Sequence, residues 1–182
     1  MDRILIEGGI PLTGTLPISG SKNAVLPLMV AALLSDQPVT LRGTPRLADT
    51  RTLASVLREL GAEVEEFGNG PGEGMQVHAG DLSSVRAPYE LVSKMRASFW
   101  VLGPLLARAH KAEVSLPGGC AIGTRPVDLY LKGLSKMGAD ISVEGGYVIA
   151  AAPGGLRGAR VDRAVVSAGA SHVRLLAGTR GQ

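Results

Sequence analysis

The sequence predicts an α/β fold built from repeated units, and three observations carry that expectation. First, Ser21 to Leu41 (SKNAVLPLMVAALLSDQPVTL) lines up with Met95 to Leu116 (MRASFWVLGPLLARAHKAEVSL). Second, Leu53 to Glu65 (LASVLRELGAEVE) lines up with Leu129 to Ser142 (LYLKGLSKMGADIS). The offsets are close: Gly61 and Gly138 are 77 residues apart, and Lys22 and Arg96 are 74 apart. Third, apolar residues recur at helical spacing, stop at Gly-Ala, and give way to short strand-like runs, so strands alternate with helices.

Taken in order, SGSKNA (Ser19 to Ala24) is expected between a strand and the N-terminus of a helix. That helix, NAVLPLMVAALL, is apolar all round and contains Pro27; it reads as core and leads into a VTL strand. LASVLREL is an amphipathic helix stopped at Gly61, followed by a strand, the turn FGNGPGEG and a returning strand. The pattern then starts again. FWVLGPLLARA is a second core helix, with Trp100 and Met95 read as packing residues. A VSL strand, the helix after Arg125 and a hairpin closed by EGGY complete it. The repeat units span about 18–80 and 92–152. Residues 158–182 start a third that has too few residues to finish, as if a closed arrangement of units were cut there.

Composition narrows the function classes. Aromatic residues are 3% of 182, too few for the stacking platforms of nucleic-acid modules. The net charge of +3 comes from scattered arginines rather than a polybasic run, which suits a small anionic substrate. A single cysteine excludes an intrachain disulfide and a cysteine-rich zinc site. MDRILIEGG lacks the basic-then-apolar order of a signal peptide. The longest apolar stretch, Ala24 to Leu34, is about half a membrane span. The expectation is a soluble, cytoplasmic protein.

Four places can carry chemistry. Cys120 follows Gly118 and Gly119 and precedes Arg125; nearby cations favour a thiolate, and glycines let backbone approach a ligand. A buried structural cysteine is equally consistent with that spacing. Lys22 and Asn23, with Gly20, sit where a lysine and free helix N–H groups can hold a phosphate, although the P-loop pattern is absent. A solvated lysine is the plain alternative. Arg96 occupies in the second unit the position of Lys22 in the first, so closure of the units can bring the two together; it also reads as a surface arginine at a helix start. Arg125, Pro126, Val127, Asp128 and Leu129 stiffen a helix entry and can read a uracil or sugar, or Asp128 can simply favour the helix dipole. His78, His110 and His172 share no metal spacing, GxSxG is absent, and no dinucleotide fingerprint occurs.

ISGSKNAVLPLMVAALL, APYELVSKMRASFWVLGPLLAR and above all VSLPGGCAIGTRPVDLYLKGL closely resemble the UDP-N-acetylglucosamine 1-carboxyvinyltransferases, the enolpyruvyl transferases of peptidoglycan precursor synthesis. The shikimate-pathway enolpyruvyl transferases share the fold but lack the cysteine loop. The resemblance implies an inside-out α/β barrel of three repeated units, of which residues 1–182 form one incomplete domain. It also implies a cleft between two such domains as the active site.

The implied reaction transfers enolpyruvyl from phosphoenolpyruvate to the 3′-hydroxyl of UDP-N-acetylglucosamine, releasing phosphate by addition and elimination. Cys120 matches the proton donor, which can also form a covalent adduct with phosphoenolpyruvate and is the residue that fosfomycin alkylates. Lys22, Asn23 and Arg125 match phosphoenolpyruvate contacts. Arg96 matches a substrate-binding arginine, and Arg125 to Leu129 match the UDP-sugar run. No cofactor, metal, nucleic acid or membrane is implied.

The sequence departs from the resemblance near its end. Val165 stands where a nucleotide-contacting lysine falls, Ser167 and Gly169 are kept, and the likeness is expected to end at Ala170, as a truncation or frame change would make it. The carboxylate base and a further arginine belong to a half that this sequence does not encode. The competing reading is an inactive fragment that at most binds the uridine nucleotide. A thiol hydrolase is disfavoured because no histidine is placed as its base.

Overall fold

The computed structural model describes residues 3–68, 72–118, 127–162 and 166–181. Cys120, Arg125 and Pro126, and Val165, lie outside the described residues.

Regular structure begins with α1 (Lys22–Ala31), extended by a 3₁₀ turn (Ala32–Leu34), then β1 (Val39–Arg42), α2 (Ala48–Glu59), β2 (Glu63–Phe67) and β3 (Gly74–His78). A short β4 (Arg86–Ala87) and α3 (Tyr89–Val92) lead to a 3₁₀ helix (Arg96–Val101) that continues as α4 (Leu102–Ala109). After these come β5 (Lys111–Ser115), α5 (Asp128–Lys136), β6 (Asp140–Glu144), β7 (Tyr147–Ala151) and α6 (Ala168–Gly178).

The strands form two open sheets, ordered β1-β3-β2 and β4-β5-β7-β6. All pairs are antiparallel except β4 with β5. Both expected hairpins are present. β2 and β3 pair with Glu63 opposite His78, and β6 and β7 pair with Glu144 opposite Tyr147. Gly145 and Gly146 close the second hairpin with φ of 56° and 82°, the two left-handed positions a tight primed turn requires.

Each sheet turns one face to helices and one to water. Met75 and Val77 of β3, Ala112 and Val114 of β5, and Val148 and Ala150 of β7 are buried, while Gln76 and Ile149 between them are exposed. The core is aliphatic, as the composition requires, and centres on the helices. In α4 every residue from Leu102 to Ala107 is buried. Helix α2 is one-sided, with Leu53, Ala54, Val56 and Leu57 inward.

Two findings differ from the sequence reading. No strand precedes Lys22 among the described residues: 3–21 carries no helix or strand, and Ile4, Leu5, Ile6, Ile10, Leu12, Leu16 and Ile18 are all at least 82% exposed. A strand needs a neighbour for its backbone groups, and neither described sheet offers one to this segment. At the other end, the chain does not lose its structure after Ala170. Ser167 caps α6 by accepting from Ala170 N at 3.3 Å, and Val173, Leu176 and Ala177 are buried. Helix α6 packs on α4 through Gly103, where an added Cβ would lie 2.6 Å from the Val173 carbonyl oxygen.

Arg108, at the end of α4, fastens three chain segments. Its guanidinium donates to the carbonyls of Leu33 (2.9 Å), Ser35 (3.0 Å) and Gly80. Replacing it with alanine removes three charge-assisted bonds and leaves half-buried carbonyls unpaired. The expected cost is about 3 kcal/mol in urea unfolding, of which Arg108→Lys recovers only part, because a point charge cannot reach all three acceptors.

Candidate active-site cleft

Two helix entries meet at the cleft because Gly20 lies directly on the backbone of Gly43. A Cβ at Gly20 would overlap the Gly43 carbonyl oxygen, so only glycine fits. This contact sets the start of α1, at Lys22, beside the start of α2, which carries Asp49 in its first turn. Thr50 fixes the α2 entry: its hydroxyl oxygen accepts from Leu47 N at 3.0 Å and donates toward Pro45 O. Pro27 has no N–H, so the Asn23 carbonyl cannot receive the usual bond from four residues on.

The cleft holds about 340 Å³ and is lined by Lys22, Asn23, Asp49, Arg96, Trp100 and Tyr130, with Leu26, Met95, Ala97, Ser167 and Gly169 completing its wall. Lys22 Nζ lies 3.0 Å from Asp49 Oδ2, with the side chains 48% and 37% exposed. Arg96 stands at the first position of the 3₁₀ helix, its guanidinium carbon 5.4 Å from the centroid of the Tyr130 ring. Tyr130 is buried and meets Phe99 edge-on at 5.6 Å. Gly169 packs against the tips of Tyr130 and Trp100, and a Cβ there would lie 2.2 Å from the tyrosine oxygen. Two cations, an amide and helix N-terminal N–H groups on one cleft can bind an anion and orient a polar ligand beside an aromatic floor.

Of the sequence-predicted residues, Lys22, Asn23 and Arg96 come together here, as do Ser167 and Gly169. Val127, Asp128 and Leu129 do not line this cleft. They form the entry to α5, with Val127 preceding its first residue Asp128, and Leu129 O accepting from Arg174 Nη2 at 3.3 Å. Cys120, Arg125 and Pro126 are outside the described residues. Sequence reasoning missed Asp49 and Tyr130, and it gave Trp100 and Met95 to packing alone. For Tyr130 a signal was present: it directly follows the RPVDL run. For Asp49 the only hint was an acidic residue in a helix's first turn, which the helix dipole explains equally well.

A larger cavity of about 570 Å³ lies between α5, α6 and residues 158–161. It is walled mainly by apolar groups with His172 and Arg174, and none of the predicted residues among those described lines it. Among the described residues no group of His, Cys, Asp and Glu is arranged to hold a metal ion, and no helix is long and apolar enough to cross a membrane.

Comparison with known proteins gives a consistent picture. Residues 6–182 match the family described as EPSP synthase (3-phosphoshikimate 1-carboxyvinyltransferase). The match runs well past Ala170, which corrects the expectation that the likeness ends there. Proteins from Rhodopseudomonas palustris and Nitrobacter winogradskyi, each named UDP-N-acetylglucosamine 1-carboxyvinyltransferase, are 55% and 56% identical over 98% of this chain. The chain spans 43% of the length of these relatives. Among solved structures, the enolpyruvyl transferase NikO from Streptomyces tendae superimposes with a TM-score of 0.72 at 24% identity, covering 94% of this chain and 39% of that one. EPSP synthase from Acinetobacter baumannii does so with 0.70 at 21%, covering 93% and 38%. These two likenesses concern the fold.

Proposed function

Because this chain belongs to the EPSP synthase family of enolpyruvyl transferases, we propose that it forms one wall of a UDP-N-acetylglucosamine 1-carboxyvinyltransferase. The reaction is transfer of enolpyruvyl from phosphoenolpyruvate to the sugar 3′-hydroxyl, an early step toward peptidoglycan and so toward cell shape and division, in the cytoplasm. The observation that carries this reading is the identity of 55% over nearly the whole chain to proteins of that name. The gathering of Lys22, Asn23 and Arg96 on one cleft supports it. On the same reading the two open sheets belong to an inside-out barrel of three units, with 18–80 and 92–152 as two and 158–182 as the start of a third.

The chemistry requires protonation of the methylene carbon of phosphoenolpyruvate and addition of the hydroxyl, with loss of its proton, to the central carbon; phosphate then leaves together with a proton from the new methyl group, which restores the double bond. Cys120 is the acid at the methylene carbon. Lys22 and Arg125 neutralise the phosphate as charge shifts toward it, and Asn23 holds the same ligand. Arg96 and the run Arg125, Pro126, Val127, Asp128 and Leu129 hold the uridine nucleotide. The span of 43% favours one competing reading, a chain that binds nucleotide without turnover.

The test uses this chain completed with the remainder of the Rhodopseudomonas palustris relative. In calorimetric titration, Lys22→Ala and Arg125→Ala should each weaken phosphoenolpyruvate binding by about 1.5–3 kcal/mol, the worth of one charge-assisted hydrogen bond. Arg125→Lys should restore only part, since an ammonium lacks the planar fork. Unchanged affinity in both alanine variants removes these residues from the site.

A further inference from the structure

Asp49 is the one carboxylate among the described residues that line the cleft, and a carboxylate repels the anion that the cleft is proposed to take. Its geometry explains its presence. Asp49 Oδ2 sits 3.0 Å from Lys22 Nζ, with both side chains too exposed for the pair to add much to folding. What the pair does change is where the ammonium stands. A lysine at the first position of a helix has four flexible carbons between backbone and charge. Asp49 itself is held at the start of α2, where the helix end favours a negative charge, and the Gly20–Gly43 contact fixes α2 beside α1. One of the three ammonium N–H bonds is thereby committed to Asp49, and two remain to meet a ligand.

We propose that Asp49 is a positioning residue: it holds the Lys22 ammonium at the cleft wall so that it meets the phosphate of a bound anion already oriented. The proposal rests on reading the cleft as an anion site. Ordering the lysine before the ligand arrives removes an entropic cost from binding, and that gain outweighs the repulsion between the carboxylate and the anion.

The test is a double-mutant cycle on this chain, titrated with phosphoenolpyruvate and with inorganic phosphate and followed by amide NMR shifts. Asp49→Asn keeps the size and removes the charge. It is expected to weaken both ligands about fivefold and to have no further effect when Lys22 is already alanine. Tighter binding by Asp49→Asn overturns the proposal, because Asp49 then only repels. Equal weakening with and without Lys22 also overturns it, because Asp49 then acts through the fold. A second readout needs no ligand: in protein carrying ¹³Cε-lysine, the two Hε signals of Lys22 should be distinct in the wild type and merge in Asp49→Asn. Signals alike in the two proteins overturn the tether. If Lys22→Ala binds both anions as the wild type does, the anion reading of the cleft fails and the ligand role of Asp49 falls with it, while the Hε signals still report the tether separately.

Discussion

Cys120→Ser, made in this chain completed with the remainder of a relative, is expected to lower phosphate release by about 10²-fold or more, the usual worth of a positioned general acid. A hydroxyl is a far weaker acid than a thiol, so serine cannot deliver the proton that makes the central carbon of phosphoenolpyruvate reactive. Cys120→Asp should retain measurable turnover, because a carboxylic acid can deliver it. The same thiol should be the site of alkylation by fosfomycin, read as a mass increase on the peptide containing Cys120. An enzyme indifferent to Cys120→Ser, or a folded protein whose Cys120 stays unmodified, would remove the cysteine from the reaction.

The second large effect concerns the 182-residue chain by itself. It is expected to show no phosphate release above background with phosphoenolpyruvate and UDP-N-acetylglucosamine, since on this account it supplies one wall of a two-walled site. It is also expected to self-associate. Seven large apolar side chains between Ile4 and Ile18 stand almost fully exposed on a segment with no regular structure, an apolar display that a lone soluble domain rarely tolerates. Size-exclusion chromatography should give a mass well above 18.8 kDa. Replacing Ile4, Ile6 and Leu12 with serine should shift it toward the monomer. Hydrogen exchange should be fastest over 3–20 and slowest in α4, whose residues Leu102 to Ala107 are all buried. A clean monomer turning over at the rate of a complete enzyme would overturn both expectations.

The local signals in the sequence were strong where local chemistry decides structure. Gly61 and Gly138, with φ of 99° and 93°, end α2 and α5 where the Gly-Ala stops placed them. The EGGY turn carried its own geometry in two adjacent glycines. Two features were not read from the sequence, for different reasons. An extended N-terminal segment becomes a strand only beside another strand, and alternating apolar residues cannot say whether that neighbour is present. Helix α6 went unread because the sequence departs from the family motif near Ala170. Yet SHVRLLAG still places Val173, Leu176 and Ala177 on one helical face, and that face is buried.

The site divides in the same way. Lys22 and Arg96 were legible because they occupy equivalent places in a repeated pattern, and Asn23 because it stands beside Lys22 in the SGSKNA run; the fold brings all three to one cleft. Asp49, 3.0 Å from Lys22, became visible through the fold, and so did the place of Tyr130, whose ring lies 5.4 Å from Arg96, although its position after the RPVDL run was a signal.

The most direct test of the central claim is steady-state phosphate release by the completed chain, measured beside Lys22→Ala and Arg96→Ala. The account predicts release that requires both phosphoenolpyruvate and UDP-N-acetylglucosamine, with kcat/KM about tenfold or more lower in each variant, the loss expected from one charge-assisted contact. Release that is unaffected by either substitution, or a folded completed chain that releases none, would contradict it.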